Sequence, residues 1–129
     1  MEYSLDTKDL DRIEDILRED IIELGVNCVF LIDLAGNIIS SLDSGKKKHD
    51  VYALAALAAG NFGAVGAMAD IMGEDYSILF HKGKEENIHF SKVMDNFLLV
   101  TTFSEEVSLG FLRMKVSEVH DKLREILAG

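Results

Sequence analysis

One stretch of this chain constrains its fold more than any other: the 19 residues from Val51 to Ala69 carry no charge, and eleven of them are alanine or glycine. Alanine favours helix, Asp50 can cap a helix start and Gly73 can end one, so the stretch predicts a long helix over Asp50–Met72. At about 100° per residue, its larger apolar side chains fall on one broad side. We expect that side to be the core-facing stripe: Val51, Leu54, Leu57, Phe62, Val65, Met68 and Met72.

The opposite side of this helix lacks the Glu, Lys and Gln that a solvent-exposed helix face carries. It consists of Tyr52, Ala56, Ala59, Gly60, Gly63, Gly66, Ala67 and Asp70. Each glycine costs a helix roughly 1 kcal/mol relative to alanine. The glycines therefore indicate that the absence of a side chain is needed at these positions, for example to let another backbone approach closely.

Three interpretations of this side are open: a transmembrane helix, a helix buried on all sides within one domain, and a helix that packs against another protein. Length supports the first, but alanine and glycine give little transfer free energy and Asn61 lies mid-helix. We favour the third, because it uses the glycines.

The remaining elements follow from apolar spacing and turn residues. Helical spacing predicts a first helix over Asp6–Leu24. It also predicts a last helix after Gly110, whose core-facing residues are Leu112, Val116, Val119, Leu123 and Ile126 or Leu127. Apolar or alternating runs predict five strands: Cys28–Asp33, Ile38–Leu42, Tyr76–His81, Asn87–Val93 and Phe97–Phe103.

The order α-β-β-α-β-β-β-α predicts one layered α/β domain over residues 1–129. We expect a five-stranded antiparallel-type sheet, with the long helix on one face and the other two helices on the opposite face. The two most apolar strands, the first and the fifth, should pair in the middle, which makes the second and third strands the edges.

The third strand predicts a dimer. Tyr76, Ile78 and Phe80 fall on one face of it by alternation. An exposed apolar edge strand is an aggregation hazard unless it is paired or covered. Pairing with its symmetry mate across a twofold axis would remove that hazard.

Charge and cysteine content exclude several classes of protein. The formal net charge is −10, which disfavours nucleic acid and anionic membrane surfaces as partners. The one cysteine, Cys28, allows no intramolecular disulfide and no cysteine-based zinc site, and its apolar surroundings indicate a buried side chain. The acidic N-terminal stretch lacks the pattern of a signal peptide, so we expect a cytoplasmic protein.

No catalytic, metal-binding or cofactor-binding constellation is apparent. His49, His81, His89 and His120 lack metal-ligand spacing, and we expect them to be solvated or hydrogen-bonded. A five-residue turn would set His81 opposite Asn87, so His81 and His89 should not converge. The Gly-Lys pair in the loop before the long helix does not complete a phosphate-binding loop. We expect no enzyme activity, metal, cofactor or bound nucleotide.

Specific stretches resemble a known family. LAALAAGNFGAVGAMADIMGED, Leu54 to Asp75, is similar to the middle helix of the Roadblock/dynein light-chain family, and most of all to its MglB-like bacterial branch. VFLIDLAGNII (Val29 to Ile39) resembles the first hairpin, and Leu98 to Ser104 resembles the fifth strand. The resemblance covers nearly the whole chain in element order.

The resemblance implies a non-enzymatic dimeric regulator of a Ras-like small GTPase. Its sheets would join through the third strands and its middle helices would lie side by side, with Tyr76, Ile78, Phe80 and Tyr52 at the dimer interface. The paired helices would bind the GTP form and stimulate hydrolysis. Contact positions carried over to this chain are Gly63 and Ala67, surrounded by Ala56, Ala59, Gly60 and Gly66.

The middle helix has no Arg or Lys, so no arginine finger can come from this face, and stimulation would be indirect. The alternative is a non-catalytic structural adaptor that holds partners together without changing hydrolysis. Whether the chain pairs with itself or with a relative is open.

Overall fold

The structure, a computed structural model, describes residues 4–128. The helices are α1 (Thr7–Ile16), α2 (Val51–Met72) and α3 (Leu109–Leu127). The strands are β1 (Cys28–Asp33), β2 (Ile38–Asp43), β3 (Ile78–His81), β4 (Asn87–Val93) and β5 (Phe97–Phe103). The predicted order of elements is confirmed, and the bounds of β1, β4 and β5 match the predicted ones.

The strands form one antiparallel sheet in the order β2-β1-β5-β4-β3. The prediction that β1 and β5 pair in the middle is therefore confirmed, as is the placement of β2 and β3 at the edges. Both central strands are buried along their whole length, because helices cover both faces of the sheet. The predicted α/β fold class is confirmed.

Large aliphatic side chains from α1 and α3 fill one face of the sheet. This core includes Ile13, Leu17, Val29, Leu31, Leu99, Leu112, Val116, Val119, Leu123 and Ile126. The predicted stripe of α3 is thus confirmed. On the other face the sheet itself supplies the large side chains, such as Phe30, Phe90 and Leu98, and α2 supplies mainly small ones.

The predicted core-facing stripe of α2 is confirmed in part, since Val51 and Leu54 are half-buried and pack against the core. Phe62 is buried, but Leu57, Met68 and Met72 are exposed, and the other fully buried side chains of α2 are Ala55, Ala58 and Ala69. The physical reason is that aromatic residues on the sheet already occupy the space between the layers. Alanines let the helix approach them, so the buried side of α2 is rotated toward its alanines.

The first helical segment is less regular than the predicted single helix over Asp6–Leu24. A capping box between Asp6 and Asp9 starts α1, and a π-helical segment, Leu17–Ile21, follows it. A short 3₁₀ turn then leads to Gly25, which ends the segment with φ 100°. Leu17 and Ile21 are both fully buried, so the change in winding keeps them in the core.

The third strand is shorter than predicted, and its register differs by one residue. β3 begins at Ile78, and His81 lies opposite Ile88 rather than Asn87. Tyr76 precedes the strand, so the expected alternation does not extend to it. Phe80 packs into the α1/α3 core, whereas Tyr76 lines a cavity beside α2, and the prediction that they share one face is wrong.

Candidate partner-binding site

The outer face of α2, opposite its buried alanines, is the main apolar surface of the chain. Among residues 4–128, the five most exposed large hydrophobic side chains all belong to this helix: Ile71 (88%), Tyr52 (82%), Leu57 (70%), Met72 (61%) and Met68 (60%). Burial of α2 on all sides, one of the interpretations above, is therefore wrong. Exposed apolar surface of this extent is typical of an interaction site.

The small residues singled out in the sequence lie on or beside this outer face. Ala56, Gly60, Gly63 and Ala67 are exposed. Ala59 and Gly66 are half-buried at its margin. A Cβ added at Gly60, Gly63 or Gly66 would meet nothing within 4 Å, so packing within the described chain does not require these glycines.

The outer face has two flanks that differ in side-chain size. On the β3-side flank, Leu54, Leu57 and Asn61 line an apolar groove with residues of β3 and β4, and the Asn61 amide lies 3.5 Å from the His81 ring. On the small-residue flank, Gly63, Gly66 and Ala67 border a cavity that reaches Leu34, in the turn after β1.

Tyr52 is not brought together with the other residues predicted for the dimer interface. It precedes Asn61 by nine residues, which is about two and a half helical turns. It therefore points away from the β3 side of α2. Ile78 and Phe80 lie on β3 itself, and Tyr76 lies between α2 and β3.

The outer edge of β3 is open in the described chain, since its only strand partner is β4. Lys92 N–H donates to the Ser77 carbonyl across the two strands at 2.8 Å. Antiparallel pairs alternate between bonded and non-bonded, so Leu79 turns its backbone groups toward β4. Those of Ile78 and Phe80 point outward and are free to extend the sheet.

A polar cluster anchors the loop that precedes α2. Glu86 accepts hydrogen bonds from Asn27 at 2.8 Å and pairs with the His49 ring at 2.9 Å. Burial raises the pKa of the Glu86 carboxyl, but hydrogen bonds from His49, Asn27 and Thr102 outweigh burial and hold it below its ordinary value. This cluster fixes where α2 begins relative to the sheet.

Cys28 is buried, as predicted, and its Sγ lies 3.1 Å from Thr102 Oγ1. Burial is the main cause that raises the pKa of its thiol, which keeps the nucleophilic thiolate scarce. Among residues 4–128 no cluster of three or more His, Cys, Asp or Glu side chains is arranged to hold a metal ion.

By length and composition α2 is able to cross a membrane, and it is the one helix of the described residues that passes this test. That is weak evidence, because core helices of globular proteins pass it too. Here α2 covers one face of the sheet through Ala55, Ala58, Phe62 and Ala69.

Sequence reasoning missed two features of this structure. It assigned Leu57, Met68 and Met72 to the core, although they enlarge the exposed face. It also expected every histidine to be solvated or hydrogen-bonded, whereas His89 is buried with both ring nitrogens unpartnered. The sequence did contain a signal for the first feature: the uncharged stretch has more residues than one face of a helix can bury, so some of them had to be exposed. No sequence signal marks the second.

No family model matches the sequence, and no curated protein matches it. Solved structures do match. The gliding protein MglB of Thermus thermophilus is 26% identical with a TM-score of 0.89, over 98% of this chain and 96% of that one. Myxococcus xanthus MglB is 28% identical with a TM-score of 0.86, over 95% and 92%.

A Roadblock/LC7 domain from Streptomyces avermitilis shares the fold at 17% identity and a TM-score of 0.65, over 78% of this chain and 83% of that one. A five-stranded antiparallel sheet between one long helix and a helix pair is thus the fold that this chain shares with a Roadblock/LC7 domain. The chain is similar to the two MglB structures over nearly its whole length.

Proposed function

We propose that this chain is a dimeric, non-enzymatic regulator of a Ras-like small GTPase in the cytoplasm. The observation that carries the proposal is the outer face of α2, which is exposed and apolar and has no charge from Val51 to Ala69, in a chain of net charge −10. Such a face is costly in water and favourable in an interface. The similarity to MglB supports the choice of partner class.

In this proposal the two flanks of α2 bind different partners. The β3-side flank, with Leu57, lies toward the open edge at which a second copy would add its own β3. The small-residue flank, centred on Gly63 and Ala67, borders the cavity that reaches Leu34 and is left for the GTPase. Small side chains there let another backbone approach closely.

Stimulation of hydrolysis would be indirect. An activating protein often supplies an arginine that stabilises the transition state, but α2 contains no Arg or Lys. Docking would instead fix the switch regions of the GTPase so that its own catalytic groups are positioned. An adaptor would bind the same face and leave the hydrolysis rate unchanged.

The test is single-turnover GTP hydrolysis by a Ras-like GTPase of the same organism, with and without this chain. We expect faster hydrolysis, and binding that depends on bound GTP. Gly63→Arg and Ala67→Arg should remain folded, because both positions are exposed and arginine favours helix. They should weaken binding by about 2–5 kcal/mol, the cost of burying an unpaired charge.

Met114→Arg is the matched control, because Met114 is an exposed apolar residue of α3 on the opposite face of the sheet. It adds the same charge and should leave binding unchanged. Binding of Gly63→Arg at full strength would place the GTPase elsewhere. Binding without faster hydrolysis would favour the adaptor.

The dimer has a separate test. Ile78→Pro removes an outward N–H from β3 and leaves the β3–β4 hydrogen bonds in place, so it should produce a folded monomer in light scattering. Leu79→Pro removes an N–H that faces β4 and should lower the melting temperature instead. A wild-type chain that is monomeric at all concentrations would refute the dimer.

A further inference from the structure

A polar cavity lies on the face of the sheet opposite α2, between α3 and the β3–β4 pair. Its volume is about 420 Å³, within the usual range of small-molecule sites. Its walls include Ser91 and Lys92 of β4 and Ser117 of α3. Apart from Ile78, it uses none of the residues of the proposed GTPase and dimer surfaces.

The α3 wall of this cavity is cationic. Arg113, Ser117, His120 and Arg124 recur at steps of four, three and four residues, which places them on one stripe beside the buried stripe of the helix. Arg113 has no ion-pair or hydrogen-bond partner within residues 4–128, and the nearest carboxylate of Arg124, on Asp121, is 3.9 Å away. Of the two arginines of this wall, Arg113 is thus unpaired and Arg124 has one long ion pair.

His89 of β4 forms another part of the wall. Its relative exposure is only 1%, and neither Nδ1 nor Nε2 has a hydrogen-bond partner. Its cross-strand neighbour Thr101 also leaves its hydroxyl unpartnered, but a bond between them would satisfy only one ring nitrogen. A buried polar group without a partner costs free energy, so His89 is a donor that lacks its acceptor.

The charged groups around His89 favour an anion as that acceptor. Arg113, His120 and Arg124 line the cavity from α3. Lys92 of β4 borders both this cavity and the one beside α2, and it pairs with Asp95 at 3.9 Å. Asp75 is the remaining carboxylate of the wall. Burial is the main cause that lowers the pKa of His89 to about 4, and the charges of Arg113 and His120 add to the effect.

We propose that this cavity binds a small phosphate-bearing molecule, whose oxyanion is held by Arg113 of α3 and by a ring N–H of His89 of β4. An arginine guanidinium pairs with phosphate oxygens through two parallel hydrogen bonds. Ser117 and Arg124, one and three turns further along α3, border the remainder of the molecule. The hydroxyl of Ser91, 2.8 Å from the His120 ring, couples that second histidine to the same site.

The test uses histidine ring NMR signals of the full chain at neutral pH, titrated with inorganic phosphate against chloride of equal ionic strength. The signals of His89 and His120 should shift together and saturate. The signals of His49 and His81 should not, because those rings lie elsewhere and are internal controls. Unmoved His89 and His120 signals, or equal shifts in chloride, would overturn the proposal.

Arg113→Gln should weaken phosphate binding by roughly tenfold or more, as expected for a lost hydrogen bond between charged groups. Arg113 is exposed, so the variant should keep its melting temperature. Arg12→Gln removes the same charge from α1 and should bind phosphate like the wild type. An equal loss in both variants would show general charge attraction and refute the site.

Glycerol 3-phosphate distinguishes the two sources of the anion. Tighter binding than that of inorganic phosphate indicates a phosphate ester that fills the cavity, and equal binding indicates the free ion. Binding of succinate but not of either phosphate would refute the phosphate assignment.

Discussion

The two faces of the sheet are covered in different ways. On one face, α1, the π-helical segment after it and α3 bury long aliphatic side chains, and their outer sides carry charged residues such as Arg18 and Lys122, which form ion pairs. On the other face, α2 buries mostly alanine and exposes its larger apolar side chains. The helices of the first face thus bury their large apolar side chains within one chain, whereas α2 leaves its large apolar side chains exposed.

The largest effect expected from this contrast concerns two leucines. Leu123→Ala in the fully buried core of α3 should cost about 2–5 kcal/mol of unfolding free energy. Leu57→Ala on the outer face of α2 should change it by less than about 0.5 kcal/mol in dilute protein. Denaturant unfolding of both variants gives the comparison, and equal costs would show that α2 is buried in the isolated chain.

The next effect is a pH dependence that originates on the α3 face. The pKa of His89 is about 4 in the folded chain and about 6.5 when unfolded. The unfolded state therefore binds more protons between these values, and stability falls as pH drops from 6.5 toward 4. The free energy of unfolding falls by about 3 kcal/mol over this range. Burial also lowers the pKa of His120.

Unfolding titrations in chloride buffers at several pH values measure this slope. His89→Gln should flatten it, and His81→Gln, which removes an exposed histidine beside α2, should not. An unchanged slope in His89→Gln would contradict the assignment to His89.

A smaller effect concerns the anchor of α2. Glu86→Gln should cost about 1–2 kcal/mol, because it weakens charge-assisted hydrogen bonds to Asn27 and His49. The folded carboxyl has a lowered pKa, so its contribution is present above the unfolded value of about 4.3 and is lost as pH falls below it. Melting curves at neutral pH check the loss, and Glu105→Gln, at an exposed pair with Lys82, is the control.

The smallest effect has the opposite sign. Gly60→Ala and Gly63→Ala should each stabilise the free chain by about 0.5–1 kcal/mol, because space is open there and alanine favours helix. The same changes should weaken GTPase binding if the two glycines serve to allow close contact with the backbone of the GTPase. Gly73→Ala is the contrast, since its φ of 73° disfavours a side chain and stability should fall. If the alanine variants are more stable and still bind the GTPase as tightly as the wild type, close backbone contact is not the reason for these glycines.

Sequence alone determined the elements of this protein and which strands lie inside the sheet. Strands β1, β4 and β5 kept their predicted bounds because apolar runs and turn residues are local signals. The exposure of Gly63 and Ala67 also followed from helical spacing, since small residues opposite a packed side stay outside it.

Only tertiary structure decided which side of α2 is buried. That choice depends on Phe30 and Phe90 of the sheet, and helix periodicity carries no information about the size of the side chains opposite. The same holds for His89, whose burial beside Arg113 results from pairing β4 with β5 and packing α3 across them. A one-residue difference in the β3–β4 register moved His81 and Phe80 relative to their partners, because the turn between those strands, not their hydrophobic pattern, sets that alignment.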